Sequence, residues 1–346
     1  MIYDKVLEQC KHIDISKMER DEWLEERRSF IGGSDAGAIM ELSNYGSKLT
    51  VYLEKKGMAK TEENAAMLRG TIMEPYIRQL TQKKFPCLRI EEAPFIFKSK
   101  DNPFIGANVD GFIYVDDEEW EDDYDFRFLV QSGEKLYRGL GVHEIKTSQD
   151  GYGFGANEVP DSYYAQVQHY LYVTDLKWGI LTVYIIGKNE IRHYPISRND
   201  ESIARLVEAE SIFWNNHIIT NIWPAALGID SESDMITGMF SGGDTIVFGE
   251  AEKALCCEYV ELNRQSKDIE KRKDEISTNL KALIVQKAQN GTERKISALA
   301  GNYSMSWSRF ETSRIDNEAL KKAGLYEQFL KKSETGRFTI TEKKGA

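Results

Sequence analysis

The stretch Gly141–Ser148, GVHEIKTS, constrains this chain more than any other. Successive side chains of a β-strand point to opposite faces. Val142, Glu144 and Lys146 therefore share one face, and His143 and Ile145 the other. A carboxylate and an ammonium beside apolar neighbours admit two readings. One is an ion pair on a solvated face. The other is half of a metal site, because a lone carboxylate near a core is costly unless it is paired or metal-bound.

The flanking segments set the fold class. Residues 1–30 read as helical. In IGGSDAGAIMEL, Ser34-Asp35 can cap a helix from Ala36 to Leu42. LTVYLEKKG reads as a helix ended by Gly57. Residues 62–84 carry a helical period through Met67, Ile72, Tyr76, Ile77 and Leu80. LRIEEAPFIFKS, FIGANVDGFIYV and GVHEIKTS read as strands, and SYYAQVQHYLYVTD as an amphipathic helix. WGILTVYIIG and IRHYPI form a strand pair, followed by the helix DESIARLVEAESIFWNNHI. This order predicts a mixed α/β (α+β) core rather than a regular βαβ repeat. At 41% hydrophobic and 11% aromatic residues, such a core can be filled.

The predicted core domain spans 1–225, with an acidic insertion at about 115–138. A charge run of this kind, dense between Asp116 and Asp125, reads as a solvated loop. The Asp-, Ser- and Gly-rich segment 226–248 reads as a linker. Residues 249–346 form a C-terminal helical arm and a small β-containing cap. In the arm Leu255, Leu262, Ile269, Ile276 and Leu283 recur every seven residues, but the companion seam of Tyr259, Ser266, Lys273 and Leu280 is half polar. That describes an imperfect coiled coil, either folded back or oligomeric. The cap is read from alternating segments in NYSMSWSRF and GRFTIT, around a helix near 316–331.

The net charge of −11 argues against polyanion binding by the whole surface but leaves room for a local basic groove. The four cysteines show no CxxC spacing, which favours a reducing compartment over a disulfide framework or zinc site. The N-terminus lacks the apolar run of a signal peptide, and no segment approaches the roughly 18 apolar residues of a membrane span.

Four features combine into a site. Asp110 ends a strand in ANVDGFI, and Glu144-x-Lys146 lies downstream. Two carboxylates converging with a carbonyl oxygen suit Mg²⁺ or Mn²⁺, and a nearby Lys can polarise an attacking water. Gln166 and Tyr170 stand four apart on the following helix, on one face. Gly70-x₃-Glu74 lies on an earlier helix. Arg27 or Arg28, with Ser34 at a helix start, can bind a phosphate. For each residue alone the bland reading, a surface charge or a packed polar group, competes.

Taken together and in order, RRSFIGGSDAGAIMELSNYGSKLTVYLEKKG, GTIMEPYI, GANVDGF, HEIKTS and YYAQVQHYLYVT resemble the YqaJ-like viral recombinases over about residues 20–215. These are the phage lambda exonuclease type of the PD-(D/E)XK nucleases. The resemblance implies a restriction-endonuclease-like core, a central mixed sheet flanked by helices. It implies a Mg²⁺-dependent 5′→3′ exonuclease, with Mn²⁺ able to substitute, acting on linear double-stranded DNA. The 3′ overhang would serve a partner single-strand annealing protein of the RecT or Bet kind. It further implies a phage or prophage protein in the bacterial cytoplasm, and a ring of three subunits.

By resemblance, Asp110, Glu144 and the Ile145 carbonyl match the metal ligands of a two-metal site, and Lys146 the lysine that positions the water. Gln166 and Tyr170 match a QxxxY element, and Glu74 a glutamate facing the metals. Ser34 matches the serine that receives a 5′-phosphate; the spacing of its arginine partner selects Arg27, with Arg28 a close rival. Asn108 departs from a family serine, and the acidic insertion and C-terminal arm are additions. Two alternatives stay open: a structure-specific or endonucleolytic PD-(D/E)XK DNase, and a DNA-binding adaptor with a degenerate nuclease fold.

Overall fold

The computed structural model describes residues 1–59, 64–116, 123–130, 137–243, 245–288, 295–330 and 338–340. The chain divides into two units, Met1–Ser241 and Gly242–Ala346. The first begins with α1 (Asp4–Gln9), β1 (Lys11–Asp14), α2 (Arg20–Arg28), α3 (Gly33–Ile39), α4 (Lys48–Lys55) and α5 (Ala65–Lys84). It continues with β2 (Leu88–Glu91), β3 (Phe95–Lys98), β4 (Gly106–Ala107), β5 (Gly111–Val115), α6 (Tyr124–Val130) and β6 (Gly139–Ser148). It closes with α7 (Asp161–Thr174), β7 (Trp178–Ile185), β8 (Glu190–Ser197), α8 (Asp200–Phe213) and α9 (Asp230–Gly238).

The central sheet has the order β2-β5-β6-β7-β8. Only β6 and β7 are parallel; the other neighbours are antiparallel. A parallel pair needs a crossover, and α7 supplies it. The alternation of side chains builds two cores. Phe112, Val142, Leu181 and Val183 face α7 through Val167, Tyr170 and Leu171. Ile113, Val115, Trp178 and Ile180 face the other way, towards Phe85, Phe126 and Val130. The architecture is thus the mixed sheet flanked by helices that the sequence predicts.

Several elements differ from expectation. The helical reading of residues 1–30 is interrupted by β1, which pairs antiparallel with β3. LRIEEAPFIFKS is two strands in two sheets, broken at Ala93-Pro94, because proline cannot donate to a central ladder. FIGANVDGFIYV is likewise split at Asn108–Asp110, so Asp110 stands just ahead of β5. On α5, Met67, Ile72 and Tyr76 are exposed, while Ile77 and Thr81 are buried. Ser34 and Asp35 lie inside α3, whose N-cap is Gly32. The stretch expected as a linker holds α9, whose Glu232 is buried and bonds the Ser47 hydroxyl at the start of α4. Part of the acidic segment, expected as a solvated loop, is α6, with Phe126 and Val130 buried. Residues 117–122 and 131–136 of that segment lie outside the described residues.

The second unit contains α10 (Glu250–Lys287), β9 (Lys295–Ala300), β10 (Tyr303–Ser308) and α11 (Asn317–Lys322). No described residue of α10 is buried, and the Leu255–Leu283 seam is exposed. Met305 and Trp307 of the β9–β10 hairpin border a groove with Ile276, Leu280 and Ile284. Of GRFTIT, only residues 338–340 are described, and they form no regular element. No described helix is long and apolar enough to cross a membrane.

Gly141 marks where β6 meets this core. A Cβ there would stand 2.6 Å from the indole of Trp178, which is fully buried. Overpacking of a rigid, filled core costs about 1–3 kcal/mol. Gly141→Ala is therefore expected to lower stability by about that amount in urea unfolding; an unchanged midpoint would contradict this packing.

Candidate metal and phosphodiester site

The site forms where β5 and β6 meet α5 and α7. The antiparallel register pairs Gly111 with His143. One step further, Asp110 comes opposite Glu144, on the face turned to α7. Asp110 Oδ2 accepts the Ile145 peptide N–H at 2.7 Å. Glu144 Oε1 accepts from Lys146 Nζ at 2.5 Å and from Gln166 Nε2 at 2.7 Å. Gln166 Nε2 also donates to the Tyr170 hydroxyl at 2.8 Å. The structure thus brings together five of the sequence-predicted residues: Asp110, Glu144, Lys146, Gln166 and Tyr170.

Electrostatics follow from burial. Glu144 is 1% exposed, and its Oε2 has no hydrogen-bond partner among the described residues. Burial first, and then the Asp110 charge, push the Glu144 pKa up to about 8. Burial also raises Asp110, against the pull of Lys146 and the Ile145 N–H. Such a pair titrates as a unit. Burial alone would lower Lys146, but Glu144 and Asp110 outweigh it and hold the ammonium charged. Glu74 on α5 joins through the field: burial and the Asp110 charge raise its pKa to about 7. Gly70, one turn earlier, faces Thr147 of β6, with 3.9 Å from its Cβ position to Oγ1.

The residues fit a divalent cation. A buried carboxylate beside a half-buried one is destabilised unless a cation or proton joins them, and Glu144 keeps a buried oxygen with no hydrogen-bond partner among the described residues. Among the described residues no group of three or more His, Cys, Asp or Glu side chains is placed to hold a metal. Asp110 and Glu144 would therefore need carbonyl, water or substrate oxygens to complete a shell, as Mg²⁺ accepts.

The predicted phosphate pocket adjoins this cluster. Arg27 Nη2 donates to Ser34 Oγ at 2.8 Å. Arg28 instead bonds Glu25 and packs at Gly57. Gly33 brings α3 against α7: a Cβ there would be 2.3 Å from the Tyr170 ring. Gly37 does the same at Ser162, 2.7 Å away. Sequence reasoning missed three supports. Lys55 is buried, pairs with Asp35 at 2.7 Å and donates to the Arg27 carbonyl at 2.9 Å. Burial would raise Asp35, but Lys55 and Arg27 hold its carboxyl below the usual range. Trp23 donates to Asn108 Oδ1 at 3.3 Å, and the Arg27 guanidinium lies over its ring at 5.0 Å. Arg78 bonds the Asp110 carbonyl at 2.9 Å. Only Arg78 had a readable signal, its place four residues after Glu74.

The raised carboxyls give a pH dependence. Their stabilising effect on the metal-free protein is fully present below the ordinary carboxyl pKa of 4.5 and is lost as pH rises through about 8 for Glu144. Thermal unfolding in chelator is expected to show stability falling across that window, and Glu144→Gln to flatten the fall. An equally steep fall in the variant would contradict the assignment.

The chain is similar to several known proteins. The chain is 27% identical over 341 residues to the uncharacterized protein YqaJ of Bacillus subtilis (strain 168), covering 94% of this chain and 96% of that one. Its fold overlaps the alkaline exonuclease LHK-Exo of Laribacter hongkongensis, solved with dAMP, at a TM-score of 0.44 and 19% identity, over 58% of this chain and 93% of that one. A phage-related exonuclease of Haemophilus somnus 129PT overlaps at a TM-score of 0.36 and 15% identity, over 58% of this chain and all of the other. Residues 22–177, which include every sequence-predicted site residue, match the YqaJ-like viral recombinase domain.

Proposed function

We propose that this chain is a divalent-metal-dependent deoxyribonuclease that degrades linear double-stranded DNA from its 5′ ends. The product, a 3′ single-stranded overhang, would pass to a single-strand annealing protein of the RecT or Bet kind. One observation carries the reading: Lys146 and Gln166 both close on a single buried oxygen of Glu144, with Asp110 alongside. This is the D…ExK arrangement expected of a PD-(D/E)XK core. The match to a viral recombinase domain supports the same class.

Asp110 and Glu144, with the Ile145 carbonyl, would hold Mg²⁺, or Mn²⁺ in its place, and Asp110 and Glu74 would serve a second ion. When bound, such ions polarise a phosphoryl oxygen and supply a nucleophilic water at neutral pH. The protein's own groups do the positioning. Lys146, kept as an ammonium by the acids, offers hydrogen-bond donors to the water and to charge developing on the scissile phosphate. Gln166, tethered to Tyr170, fixes the Glu144 carboxylate. Arg27 and Ser34 bind the terminal 5′-phosphate beside Tyr170, and Arg28 takes no part. Duplex affinity rests on phosphate contacts and weakens with salt.

Lys146→Ala is expected to slow degradation of linear duplex in Mg²⁺ by about a hundredfold or more. Degradation at the wild-type rate would refute the site. Covalently closed circles should stay intact; nicking would make the enzyme an endonuclease. On end-labelled duplexes, the wild type should prefer 5′-phosphate over 5′-hydroxyl ends, and Arg27→Ala should erase that preference. A preference that survives the substitution would remove Arg27 from the pocket.

A further inference from the structure

Arg78 occupies a position that the catalytic reading leaves unused. It lies on α5, four residues after Glu74, so both side chains share one face of that helix. Its Nη2 donates to the main-chain carbonyl of Asp110 at 2.9 Å. Its Nη1 pairs with Glu92 at 3.0 Å, on the turn between β2 and β3. The Arg78 side chain is 15% exposed and Glu92 is 67% exposed, so the anchor on Glu92 is screened by water while the bond to Asp110 is not.

Asp110 is therefore gripped at two points. Ile145 N–H holds its side chain from β6, and Arg78 holds its carbonyl from α5. The backbone around it has little slack. Gly111 follows directly, and a Cβ there would stand 2.7 Å from the Glu91 carbonyl. This close crossing brings the β2 end, and with it Glu92, within reach of the same guanidinium. The fork of an arginine can serve a carbonyl and a carboxylate at once; the single ammonium of a lysine cannot reproduce that geometry.

We infer that Arg78 is a positioning residue for the metal site: it sets the spacing between Glu74 on α5 and Asp110 ahead of β5. The inference rests on the reading of Asp110 and Glu144 as cation ligands. Groups that orient ligands from behind typically change metal affinity 10–100-fold when replaced. Arg78→Lys keeps the positive charge beside the acids, so a change in that variant reports geometry rather than charge.

The test is calorimetric titration of the full chain with Mn²⁺ and no DNA, read beside thermal unfolding in chelator. Arg78→Lys is expected to weaken Mn²⁺ binding about tenfold or more, with the metal-free unfolding temperature close to the wild type. Mn²⁺ binding as tight as wild type would overturn the inference. Should Arg78→Lys unfold at markedly lower temperature, Glu92→Asp serves instead. It shortens the exposed anchor while keeping the charge that Glu74 feels, and is expected to weaken Mn²⁺ binding a fewfold with unchanged stability; an unchanged affinity there also overturns it. A wild-type protein that takes up no Mn²⁺ would sink the metal reading itself, an outcome distinct from failure of Arg78 alone.

Discussion

A buried carboxylate, Glu144, set against a half-buried one, Asp110, is the constraint on which the rest of this structure depends. The register of β5 on β6 sets Asp110 opposite Glu144, and burial raises the proton affinity of both. An uncompensated buried charge costs several kcal/mol, so the neighbourhood is organised around it. Lys146 and Gln166 share one Glu144 oxygen, the Ile145 N–H takes one from Asp110, and Arg78 steadies the Asp110 backbone. One Glu144 oxygen remains buried with no hydrogen-bond partner among the described residues. The metal-free protein answers this with a proton; in the proposed function a divalent cation would take the proton's place.

The fold delivers this arrangement by splitting one strand between two tasks. On β6, Val142, Glu144 and Lys146 face α7, while Gly141 and His143 serve the opposite core. Gly141 admits the Trp178 indole, and His143 bonds Thr182 at 2.9 Å in a chain that reaches His193. Burial depresses the His143 pKa to about 3, so that core stays uncharged. The second device is the close packing of α3 on α7 through Gly33 and Gly37. It sets the Arg27–Ser34 pair beside Tyr170, which is itself bonded to Gln166. A chain of contacts thus runs from the pocket to Glu144.

Much of this was legible in the sequence, for a physical reason. Period-two alternation places Glu144 and Lys146 on one face whatever else the chain does, and a step of four places Gln166 over Tyr170. Those rules are local and survive folding. What was hidden depends on distant partners. Pro94 breaks one apparent strand into two sheets, and β1 exists only because β3 is there to pair with it. Lys55 reads as one more charge on an amphipathic helix until Asp35 closes on it. The apolar residues of α5 promised an inward stripe, yet Met67, Ile72 and Tyr76 face solvent, and the helix buries Ile77 and Thr81 instead. Spacing favoured Arg27 over its neighbour Arg28, and in the structure Arg27 bonds Ser34 while Arg28 bonds Glu25.

The central claim is that Asp110 and Glu144 together hold a divalent cation. The most direct measurement is anomalous X-ray scattering from crystals grown in Mn²⁺. The account predicts a manganese peak within direct-bonding distance of both carboxylates. No peak there, or manganese bound only elsewhere with Glu144 still closed on Lys146, would contradict it.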